Sequence, residues 1–456
     1  MSRATSPRYQ QYRNMPVAVI GLGVTGRACL KFLLDNGARV TGFDRAAIER
    51  KDVLAQIAYE DTSSFNLSRL ENSSVFDEFE LVILSPGVNP SHEAIAPLIG
   101  QVKLISDLDL FTRHNKVKCI GVTGSNGKST VVDMLHKALQ ACSKTALLGG
   151  NFGTCAIDLL DIEADYIILE LSSFQLQISQ NIPLEIACIL NVTEDHIDRH
   201  GSFANYALAK QYIFKHAHAA IINRDDAATL PLPSINKNVT VFASVGQSAA
   251  ANENDFWQDE RGVHQRNLCL IEASDLPLPL THMMLNMQFV LAMLNALHIE
   301  LAPAIDALIS YQGLAHRFEV VLESDNMTFV NDSKATNPGA CAAAINCATR
   351  LQGNIILIAG GDAKGADVSA LKPIIDENVS LTIVYGKDAK LFADLLNNVK
   401  SVSNLDEAVD IAIHIAKETA DKVLILLSPA CSSTDMFANY QARGNAFKQA
   451  VMRVAA

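Results

Sequence analysis

Nine cysteines are scattered singly along the chain, at 29, 119, 142, 155, 188, 269, 341, 347 and 431, and no two form a C-x-x-C pair. Their spacing excludes a cysteine-based zinc site and argues against a disulfide frame. It fits reduced thiols in a cytoplasm, the expected location. Positive charge is also scarce. The net charge of −12 argues against a nucleic-acid binder and against a membrane-surface protein, while leaving room for local basic pockets. No apolar run approaches the ~18 residues of a membrane-spanning helix. The residues up to Pro16 are polar and lack the apolar core of a signal peptide. Internal repeats and strongly biased segments are missing too. What remains is globular: 49% hydrophobic and 19% charged residues over 456 positions. At ~150 residues per domain, that length predicts about three domains.

The chain is organised around Gly121-Val122-Thr123-Gly124-Ser125-Asn126-Gly127-Lys128-Ser129-Thr130. An apolar run, Val117 to Val122, precedes it and reads as a buried strand. Val131, Met134, Leu135, Ala138 and Leu139 follow at helical spacing. A glycine-rich turn between strand and helix aims backbone N–H groups and a helix N-terminus at one point, which suits a phosphate chain. Lys128 can reach the β- and γ-phosphates, and the Ser129 hydroxyl can ligate Mg2+. The usual spacing of such loops needs glycine at 122, where this chain has valine.

Toward the N-terminus, Val17 to Ile20 reads as a strand. Gly21-Leu22-Gly23-Val24-Thr25-Gly26 follows, then a helix to Asn36, then a strand from Arg39 to Phe43 ending at Asp44. This is a βαβ unit with a dinucleotide fingerprint. Alone it suggests NAD. Its physical content is a turn that brings a diphosphate close to backbone amides, and a UDP-linked substrate offers the same group. Leu81 to Leu84 is a strand ending at Ser85-Pro86-Gly87, and strand C-termini are where open α/β sheets bind ligands.

Past the loop, Gly149 to Gly153 reads as a flexible turn presenting Asn151. Tyr166 to Leu169 is a strand delivering Glu170, a natural Mg2+ ligand beside a phosphate loop. Ile186 to Leu190 leads to Asn191-Val192-Thr193-Glu194-Asp195-His196-Ile197-Asp198-Arg199-His200, where ionisable groups crowd one strand tip. Lys210 read alone is a solvated lysine. Residues 244 to 268 are polar, contain the only tryptophan, Trp257, and read as a peripheral loop or hairpin. Thr281 to Leu297 reads as a Met-rich core helix. In the last third, strands are expected at Thr328–Asn331, Ile355–Ile358, Leu381–Val384 and Val423–Leu427, each apolar throughout and each followed by a polar cluster. Such strands belong to a parallel sheet covered on both faces, with its ligand edge on one side. The expected fold is α/β with three units. They are an N-terminal Rossmann-like unit over 1–107, a central P-loop ATPase-type parallel sheet over 108–313, and a C-terminal Rossmann-like unit over 314–456.

From Gly21 to Gly444 the chain resembles the Mur ligase family, ATP-dependent amide-forming enzymes of cell-wall synthesis. The motifs carrying the likeness are Gly-Leu-Gly-Val-Thr-Gly at 21, Thr-Gly-Ser-Asn-Gly-Lys-Ser-Thr at 123, Glu-Leu-Ser-Ser-Phe-Gln at 170 and Asn-Val-Thr-Glu-Asp-His at 191. His-Arg-Phe-Glu at 316, Asn-Asp-Ser-Lys-Ala-Thr-Asn at 331 and Leu-Ser-Pro-Ala-Cys at 427 complete the set. The resemblance points to the D-glutamate-adding branch. It implies ATP and D-glutamate as co-substrates, UDP-N-acetylmuramoyl-L-alanine as acceptor, and a reaction through an acyl phosphate. It also implies two Mg2+ ions, no nucleic-acid or membrane partner, and a monomer.

Residue roles follow from the resemblance alone. Gly124, Ser125, Asn126, Gly127, Lys128, Ser129 and Thr130 would hold ATP phosphates. Asn286, His316, Arg317, Asp332 and Lys334 would bracket the nucleotide. Ser129, Glu170, His196 and a carbamoylated Lys210 would hold Mg2+, and Asn151 would contact the acyl-phosphate region. Thr336, Lys364, Ser433, Thr434 and Tyr440 would bind D-glutamate, with Lys364 pairing a carboxylate. Val24, Thr25, Asp44, Arg45 and Ser85 would line the UDP-sugar pocket. The family's His-Asn-x-x-Asn is altered here: Asn286 is present, but Leu285 and Phe289 replace the His and second Asn. Three rivals explain less. Another ligase of the same superfamily, such as a folylpolyglutamate synthase, would share the middle unit but would not need a glycine fingerprint in an extra N-terminal unit. An NAD-dependent oxidoreductase leaves the phosphate loop idle, and a nucleotide-gated binding protein leaves Glu170, His196 and Lys210 without a task.

Overall fold

The computed structural model describes residues 9–455, except 47, 60–62, 71–72, 102, 237, 249–251, 277–279, 325 and 352, with 454 and 455 described as backbone only. The polar N-terminal stretch thus lies partly outside the described residues. Four sheets organise the rest. The first comprises β1 (Pro16–Ile20), β2 (Arg39–Asp44), β3 (Phe65–Arg69), β4 (Leu81–Leu84) and β5 (Leu104–Ser106), in the order β3-β2-β1-β4-β5. All its pairings are parallel. The order reverses between β1 and β4, so the glycine turn after β1 and Ser85 after β4 share the crevice at the switch point.

Close approach defines that turn. A Cβ on Gly26 would lie 1.8 Å from the Gly21 carbonyl oxygen. Ser85 Oγ donates to the same oxygen at 2.7 Å, and Leu22 N donates to Asp44 Oδ2 at 2.8 Å. The fingerprint's last glycine is therefore required by packing between helix and loop, whatever ligand the turn holds.

The second sheet contains β6 (Lys118–Thr123), β7 (Ala146–Gly150), β8 (Tyr166–Glu170), β9 (Leu184–Ile189), β10 (Ala217–Asn223) and β11 (Thr240–Val245), in the order β11-β10-β9-β6-β8-β7. It too is parallel. β6 sits between β9 and β8, so the loop after it opens beside both Glu170 and the cluster after β9. Gly149 and Gly150, expected in a turn, instead end β7 and pair with Leu169 and Glu170. Gly150 has φ +93°, and a Cβ there would meet the Glu170 carbonyl oxygen at 2.3 Å, so only glycine ends the strand this close to its neighbour.

Residues 256–272 are more ordered than their polar composition suggests. β12 (Phe256–Asp259), β13 (Gly262–Gln265) and β14 (Leu268–Glu272) form an antiparallel sheet. Phe256, Val263 and Ile271 face the central core. Alternation dilutes the apolar signal: one face is buried and the other polar. Gln288, fully buried on helix Thr281–Ala296, accepts from Gly246 N and donates to Gln258 Oε1, tying the small sheet to that helix.

The fourth sheet holds β15 (Glu319–Glu323), β16 (Met327–Asn331), β17 (Asn354–Gly360), β18 (Val379–Tyr385), β19 (Val399–Ser401) and β20 (Val423–Ala430), in the order β15-β16-β20-β17-β18-β19. It is parallel apart from β15, which pairs antiparallel with β16. β15 is a half-exposed edge strand, so it lacks the continuous apolar run that marks its neighbours. Among the described residues no helix is long and apolar enough to cross a membrane.

The chain leaves the first sheet through helix Asp107–Thr112, capped by Ser106, whose hydroxyl accepts from Asp109 N. Asp107 is buried, and its Oδ1 meets no hydrogen-bond partner. Burial pushes its carboxyl up to about 7, and nearby Asp109 adds to the effect. The folded state therefore keeps a proton here that the unfolded chain releases near pH 4, so this group's contribution to stability falls as pH rises from about 4 to about 7. We expect Asp107→Asn to flatten that slope by ~2 kcal/mol between pH 5 and pH 8. Denaturant titrations at both pH values measure it, and an unchanged slope would refute the assignment.

Candidate active site

The phosphate loop is built from β6 and helix Lys128–Ala141. Gly127, at φ +83°, occupies the helix N-cap position in the left-handed region, where a side chain would be strained. The loop is pinned from behind. Ser125 Oγ bonds Tyr206 OH and donates to Thr193 O, both at 2.9 Å. Asn126 N donates to Asn191 Oδ1 at 2.9 Å. Lys128 Nζ folds back to donate to the Gly124 and Ser125 carbonyls, each at 2.8 Å. Burial lowers its pKa, against the pull of Glu170 and Asp195.

Glu170 arrives from the tip of β8. Its carboxylate accepts from Ser129 Oγ at 2.5 Å and from Asn151 Nδ2 at 2.6 Å. It is 2% exposed, and among the described residues no lysine or arginine pairs with it directly. A buried carboxylate met only by neutral donors, with a hydroxyl oxygen alongside, suits a hard cation that takes few protein oxygens and completes its shell with phosphate and water.

The cluster after β9 closes this side. Burial would raise the Asp195 carboxyl, but His196, Lys364 and the Asn337 amide outweigh it and hold it below the usual range. Burial drives His196 down to about 4, so its imidazole is neutral at pH 7 and carries a free lone pair. The residue has φ +54°, a conformation that few non-glycine residues adopt and that recurs at functional sites. Lys210 is not the solvated lysine of the unaided reading. It is 1% exposed, its Nζ donates to the Gly124 carbonyl at 2.8 Å, and it lies 4.4 Å from the Tyr206 ring centroid. Burial first, then Lys128, pushes its pKa well below the ordinary ammonium range.

The fourth sheet faces this cluster across a cavity of about 720 Å³. Asp332, at the end of β16, accepts from Ser428 Oγ and Phe318 N at 2.9 and 3.1 Å, and burial raises its carboxyl to about 7. Lys334 lies 4.3 Å from the Tyr440 ring centroid, and burial with Arg317 lowers it to about 7. Arg317, Thr336, Lys364, Ser433 and Thr434 line the same cavity. Lys364 has φ +52° and approaches Asp195 Oδ1 at 4.0 Å.

Not every expected residue reaches that cavity. His316 is buried inside the fourth-sheet unit, against Asn331 Nδ2 at 3.0 Å and the Gly444 backbone. Phe289 is fully buried in the central core, whereas Leu285 and Asn286 line the cavity. Val24, Thr25, Asp44, Arg45 and Ser85 cluster around the first sheet's switch point, outside the cavity wall. Arg199 joins the two regions: its guanidinium donates to the Val88 carbonyl at 2.7 Å and stacks on Phe174 at 5.0 Å.

Three contributors escaped the sequence reading. Tyr206 backs the loop. Arg443, fully buried, donates to Ser333 Oγ, Ser333 O and Cys431 O, and so spans the two loops that carry Lys334 and Ser433. Asn337 bridges units. Tyr206, four residues before Lys210, was findable from its helical spacing. Nothing in the sequence marks Arg443.

Fold and site together define a three-domain α/β protein whose phosphate-binding loop lines a cavity shared between units. Three family models match: Mur ligase MurD-like, N-terminal domain at 15–105; Mur ligase middle domain at 122–294; and Mur ligase, glutamate ligase domain at 316–431. A UDP-N-acetylmuramoylalanine--D-glutamate ligase of Pseudoalteromonas translucida is 38% identical, covering 97% of this chain and 98% of its own. One from Hahella chejuensis is 36% identical over 96% and 98%. MurF from Acinetobacter baumannii shares the fold at TM-score 0.62 and 15% identity, over 96% of this chain and 92% of its own. The chain belongs to the Mur ligase family.

Proposed function

We propose that this chain joins D-glutamate to UDP-N-acetylmuramoyl-L-alanine, converting ATP to ADP and phosphate, in peptidoglycan precursor synthesis. The curated relatives support the substrates. The observation that carries the reading is the shared cavity: the phosphate loop lines one wall, and Thr336, Lys364 and Ser433 line the other. The units are taken as 1–107, 108–313 and 314–456, in line with the sheets and the matched ranges.

The acceptor's carboxylate attacks the γ-phosphorus of ATP, giving an acyl phosphate and ADP. The amine of D-glutamate then attacks the acyl carbon, phosphate leaves, the amide forms, and the amine gives up a proton. Lys128 swings from its loop carbonyls to the phosphates and offsets charge on the transferring group. Ser129, Glu170, His196 and Lys210 would hold Mg2+, which when bound neutralises phosphate charge and aligns the oxygens. Desolvation favours the free amine of buried Lys210, which can add CO2 and release a proton to give a carbamate, turning a donor into a metal-supporting carboxylate-like group. Asn151 orients Glu170 beside the acyl group. Lys364 and Thr336 hold the amino acid, and closure of the third unit excludes water from the acyl phosphate. The UDP moiety is assigned to the switch point at Val24, Thr25, Asp44, Arg45 and Ser85. Nine free thiols fit a reducing cytoplasm. Action as a monomer is part of the proposal, and the acidic balance fits the absence of nucleic-acid partners.

ADP release measured with the two substrates supplied singly and together tests the reading. Release is expected only with the full pair, and not when L-glutamate replaces the D-isomer. Silence with the full pair would overturn it.

A further inference from the structure

We propose that Asn337 is a positioning residue for this reaction: a helix cap that doubles as the polar latch between the third unit and the phosphate loop. The inference rests on the ligase reading for its kinetic arm only.

Asn337 is the N-cap of helix Pro338–Ala348, and its Oδ1 accepts from Ala340 N at 2.8 Å. That bond is local and needs only an oxygen. The other end of the amide leaves the unit. Nδ2 donates to Asp195 Oδ2 and to Asn126 Oδ1, both at 3.2 Å. Asn126 belongs to the phosphate loop, and Asp195 to the cluster after β9. Asn337 is 3% exposed and Asp195 8%, so the contacts are shielded from water, and the one to Asp195 is charge-assisted. Serine, threonine and aspartate cap helices as well as asparagine does. Aspartate has no donor, and a serine or threonine hydroxyl, which can cap and donate at once, offers a single O–H in place of the two N–H donors that Asp195 and Asn126 engage. Asparagine alone satisfies both demands here.

The neighbouring backbone carries a second sign of a built contact. A Cβ on Gly339 would lie 3.0 Å from Thr193 Oγ1 and 3.3 Å from Thr193 Cβ, so the bare helix turn lies directly on Thr193. Thr193 Oγ1 in turn accepts from Asn126 Nδ2 at 3.3 Å. Asn126, Thr193 and Asp195 thus form a socket on the nucleotide side, and Asn337 with Gly339 is the plug. Thr336, assigned to D-glutamate, immediately precedes the plug. Seating the latch therefore sets the amino-acid subsite against the loop, and a loop reshaped by phosphate presents Asn126 differently to it.

The test uses the full-length enzyme and variants that keep the cap. Asn337→Ser should lower kcat/KM for D-glutamate by ~30-fold, the size expected for losing one charge-assisted and one neutral hydrogen bond. ATP affinity should stay within about twofold, since the loop itself is intact, and the melting temperature should be nearly unchanged because the cap persists. Asn337→Asp should be worse, because it sets a carboxylate against Asp195. Combining it with Asp195→Asn restores opposite polarity, and the pair should exceed the product of the single effects by at least ~tenfold. Small-angle scattering with ATP and both substrates should show Asn337→Ser more expanded than the parent. The latch is overturned by a D-glutamate kcat/KM within about threefold of the parent, by a parallel loss of ATP affinity, or by strictly additive effects in the pair. Failure of the ligase reading looks different: the unmutated enzyme would not turn over, and the scattering comparison would still decide the latch.

Discussion

Lys128→Met should lower kcat for ADP release by at least ~10³-fold while leaving the fold intact. Lys128 starts the helix that follows the loop, and its Nζ is not paired with a carboxylate. Its Nζ rests on two carbonyls of the loop itself, bonds it can exchange for phosphate oxygens without breaking a tertiary contact. Charge spreads over the transferring phosphoryl group, and a donor aimed there in a water-poor cavity is worth ~10²–10³ by itself. Backbone amides cannot replace the positive charge. Methionine keeps the length of the stem, and it removes an amine whose burial already lowers its pKa, so the melting temperature should hold or rise. A variant within tenfold of the parent would remove Lys128 from the chemistry and leave it as a loop brace.

Lys210 is expected to be the second large effect, and its test has a reagent of its own. Its Nζ is shut off from water, beside Lys128 and over the Tyr206 ring. Desolvation disfavours the ammonium and so favours the nucleophilic free amine. Stripping CO2 from enzyme and buffer should reduce turnover by ~10-fold or more, and bicarbonate should restore it. Lys210→Arg sets a fixed positive charge there and cannot form the carbamate, so it should lose ~10³-fold and ignore bicarbonate. Isotope-labelled bicarbonate should give a carbamate carbon signal in the parent and none in the variant. Turnover indifferent to CO2 would leave Lys210 as an amine held against the Gly124 carbonyl.

The two lysines illustrate what could be read early. Lys128 was legible because its task is set by neighbours in sequence: strand, glycines and helix all lie within the same stretch. Lys210 was not. Its surroundings come from Gly124 and Tyr206 on other elements, and only folding shows that a lysine on a helix face is buried. The same distinction separates the strands. β1, β6, β17 and β20 are continuous apolar runs because both faces are covered. β12 to β14 alternate, and β15 is an exposed edge, so their composition resembles loop. His316 is a different case: its motif points to the nucleotide, and its ring packs against Asn331 and the Gly444 backbone. Phe289 likewise fills the central core, leaving Leu285 and Asn286 at the cavity.

By itself the sequence determined the α/β class, the three-unit layout, the phosphate loop with Lys128 and Ser129, and the polar clusters at strand ends. Each depends on residues close together along the chain, where local sterics and burial periodicity act. Tertiary structure alone decided which clusters share a cavity, that Glu170 is met by Ser129 and Asn151, that Asp107 and Lys210 are desolvated, and that Asn337 reaches Asn126 and Asp195. Those properties depend on distance and dielectric between segments far apart in sequence, and no local pattern encodes them.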